Sequence, residues 1–138
     1  MDSIIIQANK ENLEKMILFI VERYAKLIND KKSVNQMRLV AEEALLNIIN
    51  YAYPDEKGDI EIRYDYNQPD NIMTLNIIDN GIAFNPLCEK DPDLTVPVED
   101  RQIGGLGIFM IKKIMDIVNY ERAGDQNILS LQKFINGS

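Results

Sequence analysis

The chain contains no histidine and no tryptophan, and its single cysteine is Cys88. The missing histidine removes several chemistries at once, because histidine phosphoacceptors, Ser-His-Asp triads and most zinc sites need an imidazole. A lone cysteine excludes an internal disulfide and fits a reducing cytoplasm, the expected location. No apolar run reaches the roughly 18 residues of a membrane span. The opening "MDSIIIQANK" has one short apolar patch and no basic flank, so no signal peptide and no membrane partner are expected. Basic residues are outnumbered, 15 against 22 acidic, for a net charge of −7. Phosphate neutralisation supplies most of the affinity for nucleic acid, so this balance argues against a direct nucleic-acid partner. Any chemistry must come from carboxylates, amides, backbone groups or a bound cofactor.

The rest of the composition is that of a globular domain: 138 residues, 46% hydrophobic and 27% charged. No repeat, low-complexity tract or linker divides it, so one domain over 1–138 is expected. Ser3 to Ala8 reads as a strand. A helix follows with Asn9 as its N-cap, carrying Leu13, Met16, Ile17, Ile20, Tyr24, Leu27 and Ile28 at helical spacing. "NDKK" breaks it, and Ser33 is the expected N-cap of a second helix running to about Ala52, before Pro54 and Gly58. "DIEIRYDY" alternates, "NQPDN" is turn chemistry and "IMTLNIID" is a second strand, which makes an antiparallel hairpin. From Asn80 to Gly104 no period holds, and a loop of that length is usually functional or mobile. A third helix from about Gly105 to Met115 and a hairpin built from "DIVNYER", the turn "AGDQN" and "ILSLQKFI" complete the chain. The expected fold is an α/β (α+β) two-layer sandwich, with about three helices on one face of a largely antiparallel mixed sheet of about five strands.

Three constellations carry chemistry. In "AEEALLNIINYAY", Glu43 and Asn47 lie four apart and are neighbours on one helix face. Gln36, Glu43, Asn47 and Asn50 form a narrow polar strip on a helix otherwise lined by Met37, Val40, Ala41, Ala44, Leu45, Ile48 and Ile49. The strip is either a thin solvated face or a proton acceptor paired with an amide ligand for Mg²⁺. In "NIIDNGIAFNP", Asp79 ends a strand and Gly81 follows two residues later. That is either a strand-ending turn or a carboxylate placed to accept from an exocyclic amine such as adenine's, with Gly81 letting the backbone approach the ring. In "RQIGGLGIFMIKKIMD", three glycines fall in four positions where a helix begins. Each costs up to about 1 kcal/mol relative to alanine inside a helix. They form either a hinge or tight helix–sheet contact, or a phosphate cradle of bare N–H groups with the 80–104 loop as its lid. The stretch is not a Walker A loop, since Gly-Lys-Ser/Thr is missing, and not a Rossmann fingerprint, since no strand directly precedes it.

In this order the three resemble the GHKL ATPase superfamily, the Bergerat-fold ATPases that include gyrase, heat-shock chaperone, histidine kinase and mismatch-repair ATPases. Within it the chain is most similar to the small bacterial anti-sigma-factor serine/threonine kinases, over about residues 5–135. "EALLNIINYAYP" resembles the N box, "DNGIAFNP" the first glycine box and "GGLGIFMIKKIMD" the second. The resemblance implies ATP and Mg²⁺ as cofactors. It makes Glu43 the general base, Asn47 the Mg²⁺ ligand, Asp79 the reader of the adenine amine and Gly81 its neighbour beside the ring. Gly104, Gly105, Leu106 and Gly107 become the lid hinge and phosphate cradle. Two places depart from the pattern: Ala83 stands where the first box has its second glycine, and Ile103 where the second box has its first. Ser130 is the expected stand-in for a threonine near the adenine.

The function implied is a cytoplasmic protein serine/threonine kinase. It binds a sigma factor or comparable regulator and phosphorylates a small anti-anti-sigma-type antagonist protein, and a homodimer through the sheet edge or first helix is a further implied partner. The alternative is a nucleotide-gated partner-binding module with little or no catalysis, in which ATP orders the 80–104 lid. A detached ATP-binding domain of a histidine kinase lacks its phosphoacceptor helices here, and a purely structural domain leaves the order of the three motifs unexplained.

Overall fold

The computed structural model describes residues 1–53, 58–85 and 105–135, with Gly105 and Leu106 described by their backbone alone. The chain opens with β1, Asp2–Gln7, one residue earlier at each end than the sequence suggested. Asn9 caps a short 3₁₀ turn, Lys10–Asn12, by accepting the Asn12 N–H at 2.8 Å, and that turn leads into α1, Leu13–Leu27. The second helix, α2, spans Lys31–Asn47. Its N-cap is Asp30 rather than Ser33: the Asp30 carboxylate accepts the Ser33 N–H at 3.3 Å, adding negative charge where the helix dipole favours it. Ser33 lies inside the first turn, and its hydroxyl pairs with the buried Tyr24 hydroxyl at 2.7 Å, joining α2 to α1. The helical path does continue to Ala52, but over Ile48–Ala52 as a π-turn, a variant often found at functional sites.

The sheet is built from β1, β2 (Asp59–Asn67), β3 (Ile72–Asp79), β4 (Ile117–Ala123) and β5 (Gln126–Phe134). Its order is β1-β2-β3-β5-β4. Both expected hairpins are present, and the largely antiparallel sheet that was expected has all four of its pairings antiparallel. The turns sit where the chain can reach left-handed backbone: Asn71 at φ 54° and Gly124 at φ 60°. The third helix, α3, covers Gly105–Ile114, and the Lys133 ammonium caps its end by donating to the Ile114 carbonyl at 2.7 Å.

The helices cover one face of the sheet. On β2, Ile60, Ile62 and Tyr64 are buried; on β3, Met73, Leu75 and Ile77; on β5, Leu129 and Leu131. The intervening residues face the other side. α2 is the central helix, packing against both α1 and α3. Met37, Val40, Ala41 and Leu45 on it are 0% exposed. Burying a large apolar side chain contributes about 1.5–3 kcal/mol, which outweighs the few tenths that separate ordinary helix propensities. Packing therefore fixes the rotation of α2, and that rotation sets where Glu43 and Asn47 point.

Candidate functional site

Between α2, α3 and the ends of β3 and β5 lies a cleft whose volume, counted to its open mouth, is about 370 Å³. This falls within the range of small-molecule pockets. Ala44, Ile48, Ile108 and Leu129 make its walls apolar, Asn47 stands on one side, and Asp79 and Asn127 close one end. Phe84 also lines it and stacks on Tyr51, with ring centroids 5.2 Å apart and planes at 26°.

The π-turn after α2 helps to build the base of this cleft. The Ala52 carbonyl accepts the Ile82 N–H at 3.0 Å, which holds the turn after β3 against α2. Gly81 packs onto that same carbonyl, and a Cβ there would run into it. The Tyr53 hydroxyl adds a second tie, accepting the Asn80 N–H at 2.7 Å and donating to the Asp59 carbonyl at 2.9 Å.

Asp79 is 3% exposed and accepts two hydrogen bonds on Oδ1, from Gly81 N–H and Asn127 Nδ2, each at 2.8 Å. Among the described residues nothing donates to its Oδ2. Burial pushes the Asp79 carboxyl above its ordinary value, while the Asn127 and Gly81 hydrogen bonds and the charge of Arg122 pull against that. Burial and the neighbouring charge of Glu42 likewise raise Glu43. Asn47 is 7% exposed, and its Nδ2 has no hydrogen-bond partner among the described residues. A buried, unpaired amide facing a cleft is costly unless a ligand completes it. No three carboxylate, cysteine or histidine side chains gather into a metal cage among the described residues. The protein can thus offer a hard cation one amide oxygen with Glu43 a turn away, and the remaining ligands would come from phosphate and water, as Mg²⁺ accepts readily.

Asn47 and Asp79 thus line one cleft, Gly81 packs onto Ala52 of its lining, and Glu43 and Gly107 lie one turn before Asn47 on α2 and one residue before Ile108 on α3. Glu43 lies against α3, where a Cβ on Gly107 would collide with its carboxylate. Gly105 and Leu106 open α3, but their side-chain positions, Gly104 and the 86–104 part of the expected lid lie outside the described residues. Ala83 is exposed on the turn. Ser130 is not in the cleft. It faces the uncovered side of the sheet, where its hydroxyl donates to Asn76 Oδ1 at 2.6 Å. Side chains on a strand alternate, so Leu129 and Leu131 reach the helix side and Ser130 cannot. The polar residue on β5 that does reach the cleft is Asn127, opposite Asp79 in the β3–β5 register. By sequence it belongs to the turn "AGDQN"; the signal available is its even spacing from Leu129 and Leu131, which puts it on the same face.

A two-layer sandwich with a carboxylate and an amide in a cleft between sheet and glycine-opened helix is the architecture of nucleotide-dependent ATPase domains of the histidine kinase type. The model of one family, the histidine kinase-like ATPase domain, matches residues 6–133, and the chain belongs to that family. Serine/threonine-protein kinase BtrW of Bordetella bronchiseptica is 32% identical over 96 residues, 69% of this chain and 66% of that one. Serine-protein kinase RsbW of Bacillus thuringiensis is 32% identical over 87 residues, 60% of this chain and 53% of that one. The matches thus span between about half and two thirds of the length of these relatives. Among solved structures, the histidine kinase domain of an Erythrobacter litoralis blue-light activated histidine kinase shares the fold, with a TM-score of 0.54, 16% identity, and coverage of 75% of this chain and 45% of that one. No helix among the described residues is long and apolar enough to cross a membrane.

Proposed function

We propose that this protein binds ATP with Mg²⁺ in the α2–α3 cleft and transfers the γ-phosphoryl group to a serine or threonine of a small antagonist protein, while holding a sigma factor or similar regulator as its second partner. The observation that carries the reading is that, among the described residues, the buried Asn47 Nδ2 has no partner and the hydrogen bonds of the buried Asp79 all fall on one oxygen. The serine kinase names of its relatives support transfer to a hydroxyl.

In this reading Asp79 Oδ2 would accept from the exocyclic amine of adenine, and Gly81, packed onto the Ala52 carbonyl, keeps the turn after β3 tight beside Asp79. The Asn47 amide oxygen would hold Mg²⁺, which would supply charge neutralisation to the phosphates. Glu43 takes the proton of the attacking hydroxyl, and its raised carboxyl makes it a stronger base than an exposed glutamate. Gly105 and Gly107 at the start of α3 would offer backbone N–H groups to the phosphates. Phosphoryl transfer is chiefly positioning and charge stabilisation, so this equipment is sufficient.

The test is calorimetric titration with ATP, with and without Mg²⁺, on the wild type, Asn47→Ala and Glu43→Gln, followed by assay of phosphoserine on a purified antagonist. Micromolar, Mg²⁺-dependent binding that Asn47→Ala abolishes and Glu43→Gln retains is expected, with transfer lost in both variants. Absence of binding at millimolar ATP overturns the reading. Partner control that survives Glu43→Gln but not Asn47→Ala would instead identify a nucleotide-gated binding module.

A further inference from the structure

The Asn127 amide is fully committed to the protein, yet each of its hydrogen bonds ends on a group that shapes the end of the cleft. Its Nδ2 donates to Asp79 Oδ1 and to the Ile82 carbonyl, both at 2.8 Å. Its Oδ1 accepts from the Tyr120 hydroxyl, from Arg122 Nη1 at 3.2 Å, and from Phe84 N–H at 3.5 Å. The opposite amide orientation would set NH₂ against three donors and the carbonyl against two acceptors, so one orientation alone satisfies the site. With both N–H bonds used, Asn127 has none left to read a ligand.

We propose that Asn127 is a positioning residue for base recognition: it fixes Asp79 with one oxygen occupied and the other turned to the exocyclic amine of a purine, and it clamps the 81–84 turn onto the same pocket. This rests on the nucleotide reading above and deepens it. Arg122 completes the device from β4. Its Nη1 donates to the Gly81 carbonyl at 2.8 Å as well as to Asn127 Oδ1, so the guanidinium grips both the turn and the amide that holds Asp79. The specificity follows from hydrogen-bond inventory. An ionised Asp79 Oδ2 only accepts, so a purine carrying a carbonyl at that position meets oxygen against oxygen. Without Asn127, Asp79 is free to turn, and its burial favours the protonated form, which can donate to a carbonyl. Discrimination then narrows even where some affinity survives.

The test measures Mg·ATP and Mg·ITP binding by calorimetry for the wild type, Asn127→Leu and Asn127→Asp, at about pH 6 and about pH 8.5. Hypoxanthine in ITP replaces the amine with a carbonyl. Hydrogen bonds to charged groups are worth enough that the wild type should prefer ATP by about tenfold or more. Asn127→Leu should weaken ATP by about tenfold and bring the two nucleotides to within about threefold. In Asn127→Asp two carboxylates face each other, with Arg122 and the hydroxyls of Tyr120 and Tyr53 as the other charged or titratable groups around Asp79 among the described residues. A shared proton at the lower pH stands in for the lost N–H and supports ATP binding; its loss at the higher pH costs about tenfold, whereas the wild type stays flat.

Equal weakening of ATP and ITP in Asn127→Leu, with the ratio kept, makes the residue merely structural and overturns the proposal. So does a pH-independent Asn127→Asp, which decides the matter if the leucine variant fails to fold. A wild type that binds both nucleotides alike overturns it by removing amine reading. A wild type that binds neither overturns the nucleotide reading itself, and this proposal with it.

Discussion

Gly107 on α3 lies directly against the Glu43 carboxylate on α2, so a Cβ at position 107 would occupy the space of Glu43 Oε2 and come within 2.8 Å of its Cδ. The atom in the way is the far end of a flexible side chain, which can swing aside. Alanine in place of a helical glycine gains up to about 1 kcal/mol, and this offsets the cost of moving Glu43. Gly107→Ala is therefore expected to leave thermal stability unchanged or slightly raised, while phosphoryl transfer falls at least about tenfold because the base is displaced. Paired melting curves and transfer rates check this; a variant that keeps full transfer would show that the contact does not position the base.

Glu43 also links activity to pH. Burial and the charge of Glu42 hold its carboxyl above the ordinary 4.5. Between that value and the raised one, the folded chain keeps a proton that the unfolded chain has released, so stability falls as pH rises through that window and stays reduced above it. Glu43→Gln removes the ionisable group and with it this cost. The variant should melt higher than the wild type near pH 7.5, by at most a few degrees given the half-exposed site, and the gain should vanish below the ordinary value. Transfer should drop by about 10²–10⁴-fold. In the wild type the acid limb of the rate profile should lie above 4.5. Scanning fluorimetry across pH, beside the rate profile, measures both.

The fold was largely legible because the apolar positions obey one period at a time. Ile60, Ile62 and Tyr64 alternate on β2, while Met37, Val40, Ala41, Ala44 and Leu45 recur at helical spacing on α2. The α2 cap was misassigned because Asp30 and Ser33 both carry the right chemistry, and only the start of the helix decides between them. In the site, local spacing singles out Glu43, Asn47, Asp79 and Gly81 but leaves a solvated face and a strand-ending turn as open readings; their roles come from the resemblance. Asn127 is not singled out, because its importance comes from pairing with Asp79 across 48 positions of chain. Ser130 was favoured for its hydroxyl, whereas strand parity turns that hydroxyl to the uncovered face. Strand register is a long-range property, and a one-residue change of register reverses every side chain.

On the proposed reading, Asn47 carries a stability cost for binding. Its buried Nδ2 lacks a partner among the described residues, and an unsatisfied buried polar group costs about 1–3 kcal/mol. Asn47→Leu, close in size and apolar, should raise the melting temperature of the ligand-free protein and abolish Mg²⁺-dependent ATP binding. Denaturant titration and calorimetry together check it. A leucine variant that is destabilised would mean the amide is already satisfied in the native state.

The two small residues of the turn after β3 should behave oppositely. A Cβ on Gly81 would press into the Ala52 carbonyl and lie 2.7 Å from both Ala52 C and Ala52 Cβ. Backbone of a packed π-turn cannot swing away as the Glu43 carboxylate can, so Gly81→Ala should cost about 1–3 kcal/mol. It should also break the Gly81 N–H bond to Asp79 and the Ile82 N–H bond to Ala52. ATP binding should weaken at least about tenfold. Ala83 is exposed on the same turn, and Ala83→Gly adds only unfolded-chain freedom, a cost below about 1 kcal/mol. Its ATP affinity should stay within about threefold of the wild type. Gly81 would then be the position in this box that needs glycine, and alanine at 83 would leave the site intact. A gain of ATP affinity in Ala83→Gly would show instead that the alanine restricts the pocket.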